Sequence, residues 1–289
     1  MLWFKRTHRL GDTQSKGKNM NYDQLFQDIT EKVIAGLEGA EKFSKPWTIK
    51  DLEPAHNGVT GRPYSGINWL VLSMAAEGYS TSAFLTRNQA IELGGHPQKG
   101  EKHTKVFFFK PADDSSEKAN GRPTFRYYKV WNADQCGLPE GALTGYIGPT
   151  LQGGGASDLA KINNVDLRVG GKDAFFSPAH DYVRMPERST FISSDHHDAV
   201  LLHELTHWTG GASRLNRTFS SQKADYAFEE LVAELGSAML GATLGLPYEG
   251  LQHSEYVASW LTHLNNDPTY IRTASTQAGK AVNFLISNF

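Results

Sequence analysis

The hydrophobic pattern of the first half of the chain predicts helices followed by strands. Apolar residues recur at helical spacing in YDQLFQDITEKVIAGLEG, and a glycine follows the last of them. GINWLVLSMAAEGY and RNQAIELGG are typical of two further helices, the second of them short. KVFFFK and FRYYKVWN are aromatic and β-branched runs that predict strands, joined by a polar connection containing DDSSEKANG. The first half is therefore predicted to be α+β.

The second half is predicted to be mostly helical with a small sheet. The short strand DYVRMP comes first, and it is a candidate edge for aligning an extended peptide by β-addition. DAVLLHELTHWTG predicts a helix that ends at Gly210 and Gly211. DYAFEELVAELGSAMLGATLG predicts a long helix, and SEYVASWLTHLNN and TASTQAGKAVNFLISNF predict two more. The fold class is therefore α+β.

The length of 289 residues suits two domains, at the usual ~100–200 residues per domain. Glycine is concentrated between Gly137 and Asp158, with neither helical nor strand periodicity, so this stretch predicts a linker or long loop. We expect a flexible polar tail at 1–20, a first domain at 21–140, a Gly-rich linker or loop at 141–158 and a second domain at 159–289.

Composition narrows the class of protein. A hydrophobic content of 39%, with 15 Phe, 11 Tyr and 6 Trp, is enough for real cores. The single cysteine, Cys136, excludes an internal disulfide. The first residues lack the apolar stretch of a signal peptide, and no run approaches the ~18 apolar residues of a membrane span. These features predict a cytoplasmic protein without a membrane partner.

Charge is distributed unevenly along the chain. Residues 1–140 carry 19 Lys and Arg against 16 Asp and Glu, a balance of +3, whereas the remainder carries 10 against 15, a balance of −5. A polyanion would therefore meet the first half more readily than the second.

Two histidines and a glutamate stand together in the segment HELTH. His203 and His207 are four residues apart on a predicted helix, so their imidazoles point the same way and can share one ion. Glu204 lies one residue round the helix and is the candidate general base toward a water molecule. This HExxH arrangement predicts one divalent metal ion per chain, Zn²⁺ in the first place, with Mn²⁺ or another divalent ion as the alternative.

The third metal ligand is expected on the next helix, where EELVAE supplies three carboxylates. Glu230 and Glu234 are four apart and share a face, so one can bind the metal while the other orients a ligand imidazole from behind. The arrangement resembles the Glu-x-x-x-Asp/Glu element of thermolysin-like metallopeptidases, which favours Glu230 as the ligand. Glu229 is the rival, because it lies nearer the apolar stripe of the helix.

A hydrolytic site usually needs a further donor opposite the metal, to stabilise charge in the transition state. Tyr226, one turn before the acidic cluster, is the catalytic candidate for this role. His196 and His197, just before HELTH, are alternatives.

Basic and aromatic residues are interleaved in the first half, as a site for single-stranded nucleic acid requires. Cations bind phosphates there, and bases stack on rings at ~1–3 kcal/mol each. The candidate DNA-binding residues are Arg62, Tyr64, Asn68, Trp69, Lys99, Lys102 and Lys105.

Several long segments carry a resemblance to a known family. In the first half they are HNGVTGRPYSGINW, TRNQAIELGGHPQKGEKHTKVFFF and YKVWNADQ; in the second they are DYVRMP, HELTHWTGGASRLNR and YAFEELVAELGSAML. With these segments the chain from about Tyr22 onward resembles the ArdC-type antirestriction proteins of conjugative plasmids. The resemblance implies an N-terminal domain similar to the single-stranded-DNA-binding part of TraC-type plasmid primases, followed by a zincin-like metallopeptidase domain.

The resemblance also implies a protein that binds incoming single-stranded plasmid DNA and protects it from host restriction. One hypothesis is a metal-dependent peptidase, held on DNA, that cleaves a protein of a restriction system. The alternative is a non-proteolytic DNA-binding protein whose metal site is structural. Glu204 favours the peptidase, because a structural zinc site has no need of a general base. A nuclease is the third and weakest hypothesis, since phosphodiester cleavage usually relies on carboxylate-rich two-metal sites.

Overall fold

The structure, a computed structural model, describes residues 22–38, 53–110, 124–147, 155–219, 222–246, 254–267 and 269–288. The predicted tail at 1–20 and the connection DDSSEKANG lie outside the described residues. Within the described ranges, no helix combines the length and the apolar character that a membrane crossing requires.

The first half, as far as it is described, combines three helices with a four-stranded sheet. The helices are α1 (Tyr22–Glu38), α2 (Gly66–Ala75) and α3 (Arg87–Glu92), and the strands are β1 (His56–Asn57), β2 (Ala83–Leu85), β3 (Thr104–Lys110) and β4 (Thr124–Asn132). The strand order is β1-β2-β4-β3, with β1 and β2 parallel and the other pairs antiparallel. The three predicted helices and the two predicted strands are confirmed. The strands β1 and β2 were not predicted, because each is too short to show a period.

Both faces of the antiparallel pair β3–β4 contribute to the core. Val106 and Val130 are buried on one face against Leu72 of α2 and Phe84 of β2. On the other face Phe107 is buried in a second, larger cluster. The sheet is therefore packed on both sides along part of its length.

The second half contains a three-stranded sheet and, in the part that the structure describes, five helices. The strands are β5 (Leu167–Val169), β6 (Phe175–Ser177) and β7 (Tyr182–Met185), and the helices are α4 (Ala156–Ile162), α5 (Ser194–Thr209), α6 (Lys223–Leu244), α7 (Ser254–Asn266) and α8 (Tyr270–Ile286). The α+β fold class is confirmed. The helix α4 begins inside the stretch that glycine content assigned to a linker.

The segment DYVRMP is a strand, as predicted, but it is not an edge. It forms β7, which pairs with β5 on one side and β6 on the other, in the order β5-β7-β6. Its main-chain hydrogen-bonding groups are therefore occupied, and the prediction that it aligns a peptide by β-addition is wrong. The flanking strands were missed because each is three residues long.

The helices α5 and α6 pack closely in the centre of the second half. From Glu229 to Leu244 every residue of α6 is buried, as expected for a helix surrounded on all sides. Gly236 permits the close approach to α5, because a Cβ atom there would lie 2.5 Å from Cγ2 of Thr206. Thr206 stands between His203 and His207 on α5, so this contact brings the acidic segment of α6 to the two histidines.

The two halves share a hydrophobic core. One cluster of buried residues includes Val33 of α1 and Trp69 of α2 from the first half, together with Leu235 of α6 and Ala278 of α8 from the second. A side chain on α8 residue Gly279 would meet the backbone nitrogen of Gly66 at 3.0 Å, so α2 begins directly on the surface of α8.

Candidate metal centre

Helix α5 presents two imidazoles to one point. Ser193 caps the start of the helix, where its hydroxyl accepts a hydrogen bond from the backbone N–H of His196 at 3.0 Å. One full turn separates His203 from His207, and their Nε2 atoms lie 3.0 Å apart. Both rings are buried.

Helix α6 adds a carboxylate to this pair. The Oε2 atom of Glu230 lies 3.4 Å from Nε2 of His203, and its Oε1 atom lies 3.5 Å from Nε2 of His207. One ligand atom from each of these three residues lies within 4.8 Å of the others. The structure therefore brings His203, His207 and Glu230 together.

The spacing of these atoms can be tested against the demands of a metal ion. Tetrahedral zinc with ligand distances of about 2.0–2.1 Å requires neighbouring ligand atoms about 3.3–3.4 Å apart. The separations of 3.0, 3.4 and 3.5 Å are close to that requirement. Two imidazole nitrogens and one carboxylate are also a ligand set that zinc accepts with a further position open for chemistry. The residues fit a divalent cation.

Glu229 lies behind His207 rather than beside the two Nε2 atoms. Its Oε1 accepts a hydrogen bond from Nδ1 of His207 at 3.1 Å. Burial does not distinguish the two acids, because Glu229 and Glu230 each have 4% of their surface exposed. Their positions differ because they are adjacent on a helix, where neighbouring side chains point about 100° apart.

Glu234 occupies the corresponding position behind His203. It is fully buried one turn beyond Glu230, and its Oε1 atom lies 3.9 Å from Nδ1 of His203. An acid near Nδ1 keeps the ring proton on that nitrogen and leaves the Nε2 lone pair available.

Arg217 anchors the carboxylate of Glu229. The sequence patterns did not indicate a role for this arginine. Its Nε and one terminal nitrogen donate to Glu229 at 2.9 and 2.8 Å, and the same nitrogen donates to the carbonyl of Thr206 at 2.6 Å. The other terminal nitrogen donates to the Thr209 hydroxyl at 2.8 Å. The guanidinium is 5% exposed and ties the chain after α5 back to both helices.

The electrostatics of the cluster favour the charged forms of both His207 and Glu230. Burial alone would lower the pKa of His207, but hydrogen bonds to Glu229 and Glu230 and their charges raise it to about 10. Burial alone would raise the pKa of each glutamate, yet the histidine contacts hold both below the usual carboxyl range, with Arg217 contributing at Glu229. A metal ion that binds Nε2 of His207 must therefore displace a proton.

Glu204 and Tyr226 are the predicted catalytic residues. Glu204 is 8% exposed and lies between the histidines on α5; its carboxylate forms no hydrogen bond or ion pair with the described residues. Tyr226 lies in the first turn of α6, four residues before Glu230, so the two side chains share a helix face. Its side chain is 47% exposed.

The alternative donors, His196 and His197, lie at the start of α5. His197 is buried, and its Nδ1 atom lies 2.9 Å from the carboxylate of Asp198. His196 is half-buried. Both histidines precede His203 by more than one helical turn, and His197 already interacts with Asp198.

Two of the predicted DNA-binding residues have structural roles instead. Trp69 is 1% exposed within the core, so the prediction that its ring stacks on a base is wrong. The Asn68 side chain donates to the carbonyl of Phe107 and accepts from its N–H, both at 2.7 Å. That amide satisfies the open edge of β3 and is not available to DNA.

The remaining candidates lie at or near the surface. Arg62, Lys99 and Lys102 are exposed, and Lys105 is half-buried with its Nζ atom 5.8 Å from the centre of the Tyr127 ring. Tyr64 is half-buried, and burial raises the pKa of its phenol despite a hydrogen bond with Asn57. Arg62 and Tyr64 precede α2 along the chain, whereas Lys99 and Lys102 precede β3 and Lys105 lies within it.

Two segments of the chain match protein families. Residues 23–131 match the N-terminal domain of anti-restriction factor ArdC, and residues 155–277 match a zincin-like metallopeptidase domain. The first segment lies inside the predicted domain 21–140, and the second begins within the predicted linker.

Solved structures with the same fold include the antirestriction protein ArdC of plasmid R388. Its metal-free crystal structure has a TM-score of 0.74 and 36% sequence identity, and covers 91% of this chain and 97% of that one. Its Mn(II)-bound structure has a TM-score of 0.71 and 37% identity, with the same coverage.

Curated relatives include one protein that is matched over most of its length and two much longer proteins. The uncharacterised protein y4eC of Sinorhizobium fredii is 32% identical, over 90% of this chain and 91% of that protein. Two DNA primases TraC of Escherichia coli are 31% and 32% identical over 91% and 94% of this chain. The chain spans only 27% and 20% of the length of these primases.

Proposed function

Because this chain belongs to the ArdC family of antirestriction proteins, we propose that it binds single-stranded DNA and hydrolyses peptide bonds at a divalent-metal centre. The observation that supports the peptidase is the convergence of His203, His207 and Glu230, with the buried Glu204 on the same helix as the two histidines. In this proposal the antirestriction role of the family includes cleavage of a protein from a restriction system.

Three residues would hold the metal ion. They are His203 and His207 through Nε2 and Glu230 through its carboxylate, while Glu229 and Glu234 orient the two imidazoles from behind. A divalent cation held there would supply Lewis acidity toward a peptide carbonyl and make water more acidic. Zn²⁺ suits this mixed nitrogen and oxygen set best, and the Mn(II)-bound form of the R388 protein supports Mn²⁺ as the alternative.

Glu204 would move the proton. Its carboxylate is held on the rigid helix α5 and is not committed to another group among the described residues, so it can accept a proton from the attacking water. It can then pass that proton to the departing amine. Tyr226, on the same face of α6 as Glu230, would donate a hydrogen bond to the carbonyl oxygen as negative charge develops.

The DNA-binding part of the proposal is supported by the first half of the chain. Its family match is to the N-terminal domain of ArdC, and 91% of the chain is similar to part of a DNA primase. Arg62, Lys99 and Lys102 are exposed cations in this half and are proposed phosphate contacts, with Lys105 nearby. We also propose a cytoplasmic location, where incoming DNA meets restriction enzymes.

The experiment that tests the peptidase compares the wild type with Glu204→Gln, which has the same shape without the base. Each protein, loaded with zinc or manganese, is incubated with a fluorescently labelled unstructured protein, and metal content is measured in parallel. We expect a loss of cleavage of about 10²–10⁴-fold with the metal retained. Equal cleavage by both proteins would remove Glu204 from the mechanism. Absence of cleavage by the wild type, with tight metal binding, would favour the non-proteolytic alternative with a structural metal.

A further inference from the structure

The strands β3 and β4 combine aromatic and basic residues without an acid. Their sequences, TKVFFFK and TFRYYKVWN, hold seven aromatic residues and four Lys or Arg, and neither Asp nor Glu. Cations attract a polyanion, and flat rings stack on bases that are not paired. The composition of these two strands therefore suits a single-stranded nucleic acid, provided that some of the rings are accessible.

One face of the strand pair changes from buried to exposed along its length. Alternation places Phe108 on the same face as Val106, and the register puts Tyr128 opposite Val106 on that face. At one end Val106 and Val130 are each 1% exposed, because α2 and β2 cover them. Toward the other end Phe108 is 50% exposed and Tyr128 is 37% exposed. The cover that α2 provides therefore stops before the two rings.

The two exposed rings contact each other, and neither packs into a hydrophobic cluster of the described residues. The centres of the Phe108 and Tyr128 rings lie 5.1 Å apart, and the ring planes meet at 87°. We name this edge-to-face pair the aromatic corner. Perpendicular rings cannot clamp a flat ligand between them, so such a ligand would stack on one ring. Phe108 offers the larger open surface.

Basic residues adjoin the aromatic corner in the strand register. Arg126 is the strand partner of Phe108, and the exposed Lys129 follows Tyr128 along β4. A purely apolar partner would leave these charges without counterions, whereas a single strand supplies phosphates and bases together. A DNA duplex fits less well, because its bases are stacked on each other and cannot reach an exposed ring.

We propose that single-stranded DNA binds at the aromatic corner, with one base stacked on Phe108, Tyr128 bordering that base, and the adjoining phosphate near Arg126. This inference rests on the proposed DNA-binding function and assigns its location. Neither ring is among the DNA-binding candidates that the sequence indicated, so the site lies on the sheet and not at the start of α2.

The test measures binding of a labelled single-stranded oligonucleotide, and of its duplex, by fluorescence anisotropy. Phe108→Ala should lower the affinity for the single strand by about 5- to 150-fold, the range expected for loss of one stacked base. Its affinity for the duplex should not change. Ile91→Ala is the matched control, because it removes an apolar side chain of 51% exposure from α3 in the same half. This control should leave both affinities unchanged.

Two further substitutions separate stacking from apolar bulk. Phe108→Leu keeps the bulk without the ring and should bind the single strand as weakly as Phe108→Ala. Phe108→Tyr keeps the ring and should bind like the wild type. An oligonucleotide with a fluorescent base analogue, which stacking quenches, should be quenched by the wild type and Phe108→Tyr but not by Phe108→Leu. If Phe108→Ala does not fold, the leucine and tyrosine variants decide.

The phosphate contact is tested by the dependence of affinity on salt. Arg126→Gln should make the slope of log affinity against log salt less negative by about 0.7, the value for one phosphate on a single strand. Phe108→Ala should keep the slope of the wild type, because stacking releases no counterion. Lys280→Gln removes a charge from an exposed position on α8 and should also keep that slope. Equal slopes for Arg126→Gln and the wild type would refute the phosphate contact.

The outcomes separate the location from the function. A wild type without affinity for the single strand would refute the DNA-binding proposal as a whole. A wild type that binds, with Phe108→Ala and Phe108→Leu binding equally well, would refute the aromatic corner alone. Self-association of the wild type that Phe108→Ala abolishes, with unchanged DNA affinity, would assign the corner to a second copy of the chain and overturn the proposal.

Discussion

The metal centre and the sheet of the first half treat charged groups in different ways. Between α5 and α6, His207 and Glu229 are buried, and each has a partner at hydrogen-bond distance. On β3–β4, Lys105 and Lys129 are cross-strand partners at or near the surface. Buried partners interact strongly and are little affected by salt, whereas exposed charges are screened within a Debye length of about 8–10 Å. The geometry of the metal centre therefore suits one small ion, whereas salt controls how far the charges of the two lysines act.

The largest effect is expected from His203→Ala. Removing a proposed ligand should lower metal affinity by more than the about 10–100-fold that loss of an outer partner costs. Isothermal titration with zinc and with manganese measures this, and His180→Ala, at an exposed histidine, is the control. DNA affinity should not change in either variant. Undiminished metal binding by His203→Ala would place the metal elsewhere.

The next effect concerns Arg217, whose loss would leave a buried carboxylate unpaired. Arg217→Ala should lower the free energy of unfolding by about 3–5 kcal/mol. It should also weaken metal binding by about 10–100-fold, because Glu229 would no longer hold His207 in place. Chemical denaturation and metal titration measure the two effects.

A second variant separates orientation from simple destabilisation. Adding Glu229→Gln to Arg217→Ala removes the unpaired charge, so stability should recover in part while metal affinity stays low. Arg217→Lys keeps the positive charge but loses the forked geometry of the guanidinium. Its stability and its metal affinity should both lie between those of the wild type and of Arg217→Ala. Recovery of both properties together in the double variant would argue against a positioning role.

Metal binding should also depend on pH, with a sign that follows from His207. Without metal its pKa is raised to about 10. At pH values below 10, the neutral ring that a metal requires therefore becomes about tenfold more abundant with each unit by which the pH rises. Metal affinity should therefore rise about tenfold per unit between pH 6 and 8, with release of one proton. Titration in buffers of different ionisation enthalpy measures the proton. The same shift stabilises the metal-free fold below the unfolded pKa of about 6.5, and this contribution is lost as pH rises toward 10.

The smallest effect is expected at Lys102, an exposed lysine of the first half and a proposed phosphate contact. Lys102→Gln should reduce single-strand affinity only a few-fold at low salt, and the difference should vanish at high salt. Metal affinity and melting temperature should not change, since exposed charges contribute little to stability. Lys172→Gln, an exposed lysine in the second half, is the matched control.

Helical spacing accounts for the parts of the molecule that the sequence predicts well. Residues four apart on a helix share a face, so His203 and His207 could be placed together from their numbers alone. The choice between Glu229 and Glu230 could not be made that way, because it depends on how α6 crosses α5 at Gly236. Arg217 was invisible because it lies in a segment without periodicity and acts only through contacts across the fold.

The errors in the first half have a common physical origin. Trp69 follows glycines, an arginine and a tyrosine, which read as an exposed loop, but it belongs to an apolar run on α2 that turns into the core. Strand pairing decides which side chains share a face, and the partner of Lys105 is 24 positions away at Lys129. Sequence spacing carries no information about such a register, so this pair could be recognised only in three dimensions.

The close contact of Gly66 with Gly279 has a consequence for inheritance. A Cβ atom at Gly279 would lie 3.0 Å from the backbone nitrogen of Gly66, so a larger residue there would press the start of α2 away from α8. Recombination that separated the first half from the second would expose their shared core to water. The similarity to one of the primases extends over 91% of this chain, so it includes both halves. We therefore expect the two halves to be inherited as one unit.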